Sequence, residues 1–107
     1  MILHCVFCNF RDDIIQAEQT ALFSELEILC QSLDGAQAFH HGPNRDFEHK
    51  SADFNAGFVI RFRDQTALDH YAKHPRHQAL GAKLCTLCKE GANGIIVFDL
   101  EVSQNAD

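Results

Sequence analysis

The apolar positions of this chain repeat with two different periods, and the alternation between them predicts four strands and three helical pieces. Residues 2–10, Ile-Leu-His-Cys-Val-Phe-Cys-Asn-Phe, form a short run of strand formers that Arg11-Asp12-Asp13 breaks. Over 16–33 the apolar positions Leu22, Leu26, Leu29, Cys30 and Leu33 recur at helical spacing, with Glu18, Glu25, Gln31 and Ser32 off that stripe, and Asp34-Gly35 ends the helix. Residues 36–41 alternate mildly and read as a second strand before the turn signal Gly42-Pro43-Asn44. After a polar stretch, residues 57–62 place Phe58, Ile60 and Phe62 on one face of a third strand. Asp64 is positioned to cap a helix over 66–73. Pro75 suits the first turn of a further helix running to about residue 89, with Leu80, Leu84, Leu87 and Cys88 inward. A turn over 91–94 leads into a last strand, 95–102.

The order β-α-β-β-α-β, with the second helical region split at His74-Pro75, predicts an α+β, ferredoxin-like protomer with an antiparallel four-stranded sheet. At 107 residues it is expected to be one domain, 1–107. Strand parity adds a second expectation. Two helices cover one face of such a sheet, so the other should be polar if it met water. Instead Leu3, Cys5 and Phe7 oppose His4, Val6 and Cys8, and Ile96, Phe98 and Leu100 oppose Ile95 and Val97. Both faces are apolar, and Phe58, Ile60 and Phe62 enlarge one of them. A homodimer that pairs the helix-free sheet faces would cover that surface.

Composition narrows the partners. A formal charge of -6, with 15 acidic against 9 basic residues, argues against nucleic acid and against an anionic membrane surface. No apolar run is long enough to span a bilayer, and the N-terminus lacks the basic and apolar pattern of a secretory leader, so a cytoplasmic protein is expected. Five cysteines, Cys5, Cys8, Cys30, Cys85 and Cys88, lie within apolar segments. The odd count fits buried thiols in a reducing compartment better than a disulfide framework.

The elements His4, Gly42-Pro43-Asn44, Gly57-Phe58-Val59-Ile60-Arg61-Phe62, Tyr71, His74-Pro75-Arg76-His77 and Val97-Phe98-Asp99, in this order and spacing, resemble the stress-responsive A/B barrel domain family over about residues 2–102. The resemblance implies a ferredoxin-like protomer whose sheet packs against a second copy to form a dimeric α+β barrel. The same fold family includes plant polyketide cyclases in which a Tyr and a His, spaced as in Tyr-x-x-His-Pro-x-His, act as an acid/base pair beside an apolar cavity. Carried over, those positions are Tyr71 and His77, and the first-strand histidine of that pocket corresponds to His4. Most members have no assigned reaction, so the resemblance does not bring an activity with it.

The candidate catalytic residues are therefore His77, Tyr71 and His4. An inward imidazole at His77 would relay a proton near neutral pH and the Tyr71 hydroxyl would polarise a carbonyl, which suits enolisation or an aldol-type closure of a small hydrophobic, carbonyl-bearing molecule. In the plainer reading Pro75 only starts a helix, His77 bonds to backbone or solvent, Tyr71 fills the core and His4 is a satisfied buried histidine. The protein would then be a non-enzymatic stress protein with no open pocket. A third reading, a haem- or oxygen-handling monooxygenase, requires His74 or His77 to face a cavity wide enough for a macrocycle. No cofactor and no metal are expected. Adjacent His40 and His41 point to opposite faces of a strand, which leaves the His40 to His49 segment a solvated loop. Packing accounts for the Cys5/Cys8 and Cys85/Cys88 pairs, since the first straddles a strand and the second flanks a helical core stripe.

Overall fold

Alternation along the first strand, β1 (Ile2–Cys8), sorts its side chains between two environments, and the rest of the chain is arranged around that division. The computed structural model describes residues 1–103; the last four residues assigned to the domain, 104–107, lie outside them. After β1 come α1 (Gln16–Gln31), β2 (Ala36–Pro43), β3 (Ala56–Phe62), α2 (Gln65–Lys73), α3 (Pro75–Leu87), a 3-10 turn (Gly91–Gly94) and β4 (Ile95–Glu101). The strands form one antiparallel sheet in the order β2-β3-β1-β4. This is the ferredoxin-like arrangement.

Register decides which residues share a face. His4 pairs with Ile60 on one side and Asp99 on the other, and Val6 pairs with Phe58 and Val97. Val6, Cys8, Ala56, Phe58, Ile60 and Phe62 are buried on the side that carries the helices, packed with Leu22, Phe23, Leu26 and Leu29 of α1 and Leu80 and Leu84 of α3. Phe58, Ile60 and Phe62 therefore already have their cover and contribute nothing to the uncovered face. That face is formed by Leu3, Cys5, Phe7, Val59, Ile96, Phe98 and Leu100, interrupted by His40 and Arg61. On its β4 edge Phe98 and Leu100 are each about half exposed, at 53% and 51%. No helix among the described residues is long and apolar enough to cross a membrane.

Two boundaries differ from the sequence expectation. Gly42-Pro43 is not a turn: β2 continues to Pro43, pairing Gly42 with Gly57 and Pro43 with Ala56. Proline is tolerated there because β2 is an edge strand. The chain reverses further on, where the Asn44 side chain donates to the Phe54 carbonyl and the Ser51 hydroxyl, and Asp46 accepts from the Lys50 and Ser51 amides. At the other end α3 stops at Leu87 rather than continuing to about residue 89. Cys88 is extended, bridges to Phe10, and is buried through that tertiary contact rather than through a helical stripe. The break between α2 and α3 is as expected. Asp64 accepts from the Ala67 amide to cap α2, and His74 accepts from the Arg76 amide to cap α3, with Pro75 in its first turn.

Candidate functional site

α2 packs on β1 and β3, and the junction where it gives way to α3 delivers Tyr71 and His77 to the same place. Tyr71 sits in the last turn of α2 and is 1% exposed. His77 follows one short turn into α3. Their ring centroids are 4.3 Å apart. From below, His4 of β1 meets Tyr71 edge-on at 5.9 Å, so the phenol lies between the two imidazoles and touches each. The three residues expected from the sequence thus converge. They line a cavity of about 310 Å3 whose remaining wall is apolar: Val6, Leu26, Phe58, Leu84, Ile95 and Val97.

Hydrogen bonding fixes the form of both rings. His77 Nδ1 is 3.0 Å from the Ala72 carbonyl, which only accepts, so Nδ1 carries the proton and a neutral ring keeps its lone pair on Nε2. His4 Nδ1 is 2.6 Å from Asp99 Oδ1, which assigns its proton in the same way. The plainer expectations for these two histidines, a backbone bond for one and a satisfied partner for the other, hold alongside their place on the cavity wall. The sequence marks Asp99 only as the end of Val97-Phe98-Asp99 and as a break in an otherwise apolar strand, at the parity of Ile95 and Val97; its place beside His4 is set by the β1/β4 register.

Tyr71 differs from both histidines. Its hydroxyl is buried and has no hydrogen-bonding partner among the described residues. Burial, and then the neighbouring Cys30, push its pKa upward, so the phenol remains a neutral O–H donor. Leaving such a group unpaired costs about 1–3 kcal/mol. That cost would be recovered by an acceptor brought within reach of the hydroxyl.

Burial lowers the pKa of His77 from its ordinary 6.5, with His4 and His74 adding to the effect and the Ala72 bond opposing it. The folded protein therefore binds fewer protons at this ring than the unfolded chain does. The resulting stabilisation is present above pH 6.5 and is lost as pH falls through 6.5 toward the folded value. Thermal denaturation is expected to show Tm dropping between about pH 7 and pH 5, with part of the drop removed in His77→Gln. Superimposable pH profiles for the two proteins would contradict this account.

Among the described residues the other histidines and cysteines do not come together as a site. His41 packs on the helix side against Phe23 and Phe39, while His40 lies on the opposite face. His74 caps α3 and is not among the cavity-lining residues. Cys8 and Cys88 are both buried in the core, and the neighbouring Cys88 thiol together with burial pushes the Cys8 thiol well above its ordinary range. Cys5 is on the far side of the sheet. Among the described residues no three His, Cys, Asp or Glu side chains come together as a metal site.

The fold and its matches to known proteins place the chain. The stress responsive A/B barrel domain matches residues 2–102, and the chain belongs to that family. A dimeric ferredoxin-like protein of unknown function from Jannaschia sp. CCS1 is 42% identical, with a TM-score of 0.89 over 94% of this chain and 98% of that one. A dabb family protein with a ferredoxin-like fold from Mesorhizobium loti is 19% identical, with a TM-score of 0.72 over 95% and 96% of the two chains. The hydroxynitrile lyase from Passiflora edulis shares the fold at a TM-score of 0.80 over 99% and 96%, with 11% identity. No curated protein matches the chain.

Proposed function

We propose that this protein is a homodimer, paired through the helix-free face of its sheet, in which each protomer binds a small apolar molecule bearing a carbonyl in the His4, Tyr71, His77 cavity. The observation that carries the binding half is the Tyr71 hydroxyl, a buried donor without an acceptor among the described residues, on a side chain that lines the cavity. The dimer half is supported by the exposed Ile96, Phe98 and Leu100 and by the relative from Jannaschia sp. CCS1, described as dimeric. A larger hollow of about 610 Å3, walled in part by Phe7, Val59, Ile96 and Phe98, opens on that same face and belongs to the surface a second sheet would meet.

In this reading the groups have distinct roles. Tyr71 donates its O–H to the carbonyl oxygen. His77, neutral with its lone pair on Nε2, takes a proton from the carbon beside that carbonyl, giving an enol or enolate whose oxygen Tyr71 stabilises. Asp99 holds the orientation and tautomer of His4, which completes the polar end of the cavity. Proton abstraction next to a carbonyl is the first step of enolisation and of aldol-type or retro-aldol chemistry, so a lyase or cyclase is the activity this arrangement supports.

The test is a titration of small ketones, enones and β-dicarbonyl compounds followed by amide NMR. Shifts are expected at Ala72, His77, Gly81, Ile95 and Val97, which surround the cavity. A folded protein whose amides at these positions ignore the whole set would instead favour a non-enzymatic stress protein with a structural dimer. Proton abstraction is read separately, as deuterium uptake from solvent at the carbon beside the carbonyl of a bound ketone.

A further inference from the structure

Gly81 is the seventh of thirteen residues in α3, a position where glycine is the least favourable choice apart from proline. Glycines in this fold usually have a visible reason. A Cβ on Gly57 would stand 2.6 Å from the Val6 carbonyl, and one on Gly94 would stand 2.3 Å from the Lys89 carbonyl. Gly81 has none of these. Its φ is not positive, it lies far from either helix end, and a Cβ built there meets nothing within 4 Å. The empty space it faces is the cavity: Gly81 lines it, together with His77 one turn before and Cys85 one turn after. A side chain at this position would project between those two and shorten the cavity.

The cavity is also polarised along the same line. Tyr71, His77 and His4, which Asp99 holds from behind, lie at one end, whereas Cys85 and Ile95 lie at the other, where Ile95 pairs with Cys8 and Cys88 bridges to Phe10. From residue 77 to residue 85 a helix rises about 12 Å. We infer that Gly81 determines ligand specificity: it keeps open the stretch of cavity in which an unbranched apolar tail lies, extending along α3 from a carbonyl held at Tyr71 toward Cys85. The favoured ligand class is then a carbonyl compound with a slender hydrocarbon chain, and bulk at position 81 limits the chain length. This inference rests on the carbonyl-binding reading of the cavity.

The n-alkyl phenyl ketones from acetophenone to octanophenone, titrated calorimetrically into the full-length protein and into Gly81→Ala and Gly81→Leu, test it. Wild type is expected to gain affinity with chain length. Gly81→Ala should raise the Tm of the unliganded protein by about 4 °C, because alanine suits the helix and meets no obstacle. It should also bind the longest ketones about tenfold more weakly while leaving acetophenone unaffected. Gly81→Leu should lose the long ketones altogether; if that variant fails to fold, the alanine variant decides. Identical affinities across the series for wild type and Gly81→Ala would overturn the role of Gly81 and leave the cavity reading standing, as would a lower Tm for Gly81→Ala. Failure of wild type to bind any ketone would overturn both.

Discussion

Phe98→Asp is expected to yield a folded monomer, whereas Phe58→Asp is expected to yield no folded protein. The two phenylalanines lie on adjacent halves of one sheet and differ in which side they face. Phe98 is 53% exposed in the protomer, so a carboxylate there remains hydrated until a second apolar face is brought against it. Placing an unpaired charge within such an interface costs several kcal/mol, which corresponds to a loss in dimer affinity of about a hundredfold or more. Phe58 is 4% exposed, stacks on Phe39 with centroids 5.3 Å apart and meets Phe23 at 5.5 Å. Its removal forfeits about 3–5 kcal/mol of packing, and the buried carboxylate adds further cost. That sum competes with the entire stability of a small domain, about 5–15 kcal/mol. Light scattering and circular dichroism on both variants provide the check. A Phe98→Asp protein that stays dimeric at wild-type affinity would show that the sheet face around β4 is not where two copies meet.

The choice between Phe58 and Phe98 illustrates what could be read from the sequence. Alternation reveals that a strand has two apolar faces, but which set meets the helices depends on register, and register is a long-range property. The pairing of Val6 with Phe58 and Val97 settles it here, across sequence separations that no local pattern spans. The same limit hid the partnership of Asp99 with His4. Its bond to His4 joins residues 95 positions apart, and only the β1/β4 register places them side by side. By contrast, Tyr71 and His77 were singled out through the family resemblance, and local signals bring them together. The Asp64 cap, the Pro75 restart and the short α2/α3 junction are all encoded within a dozen residues. The misread boundaries have the same origin. Pro43 can remain in a strand because that strand is an edge, and Cys88 leaves the helix because Phe10 pairs with it.

The candidate cavity and the uncovered apolar face occupy opposite sides of one layer, and β4 contributes to both. Ile96, Phe98 and Leu100 look outward, while Ile95, Val97 and Asp99 look toward the cavity and His4. β4 is an edge strand, held laterally by β1 alone in the protomer, and the histidine's partner stands on it. Packing a second copy against its outer residues would therefore restrain the strand that orients His4. Pairing of two copies on this face would link dimer formation to cavity geometry through this strand, and a monomeric Phe98→Asp protein is accordingly a useful host in which to remeasure ketone binding.

Tyr71→Phe separates a structural tyrosine from a ligand-binding one. A buried phenol normally bonds to a neighbour, and deleting its oxygen then lowers stability by about 1 kcal/mol. In this protein the Tyr71 oxygen has no such neighbour among the described residues, while its ring is packed against His4, Phe62 and His77. Phenylalanine preserves those ring contacts and removes only the unpaired donor. The unliganded variant is therefore expected to melt at the wild-type temperature or up to a few degrees higher, since relief of the orphaned group is favourable. Its affinity for a carbonyl ligand should fall about tenfold, and any deuterium exchange beside that carbonyl should fall about a hundredfold or more, because the donor acts most strongly on the developing enolate. Parallel calorimetry, thermal melts and exchange measurements decide the matter. A drop of several degrees in the melting temperature without ligand would assign the hydroxyl a structural bond, and unchanged ketone binding would remove it from the site.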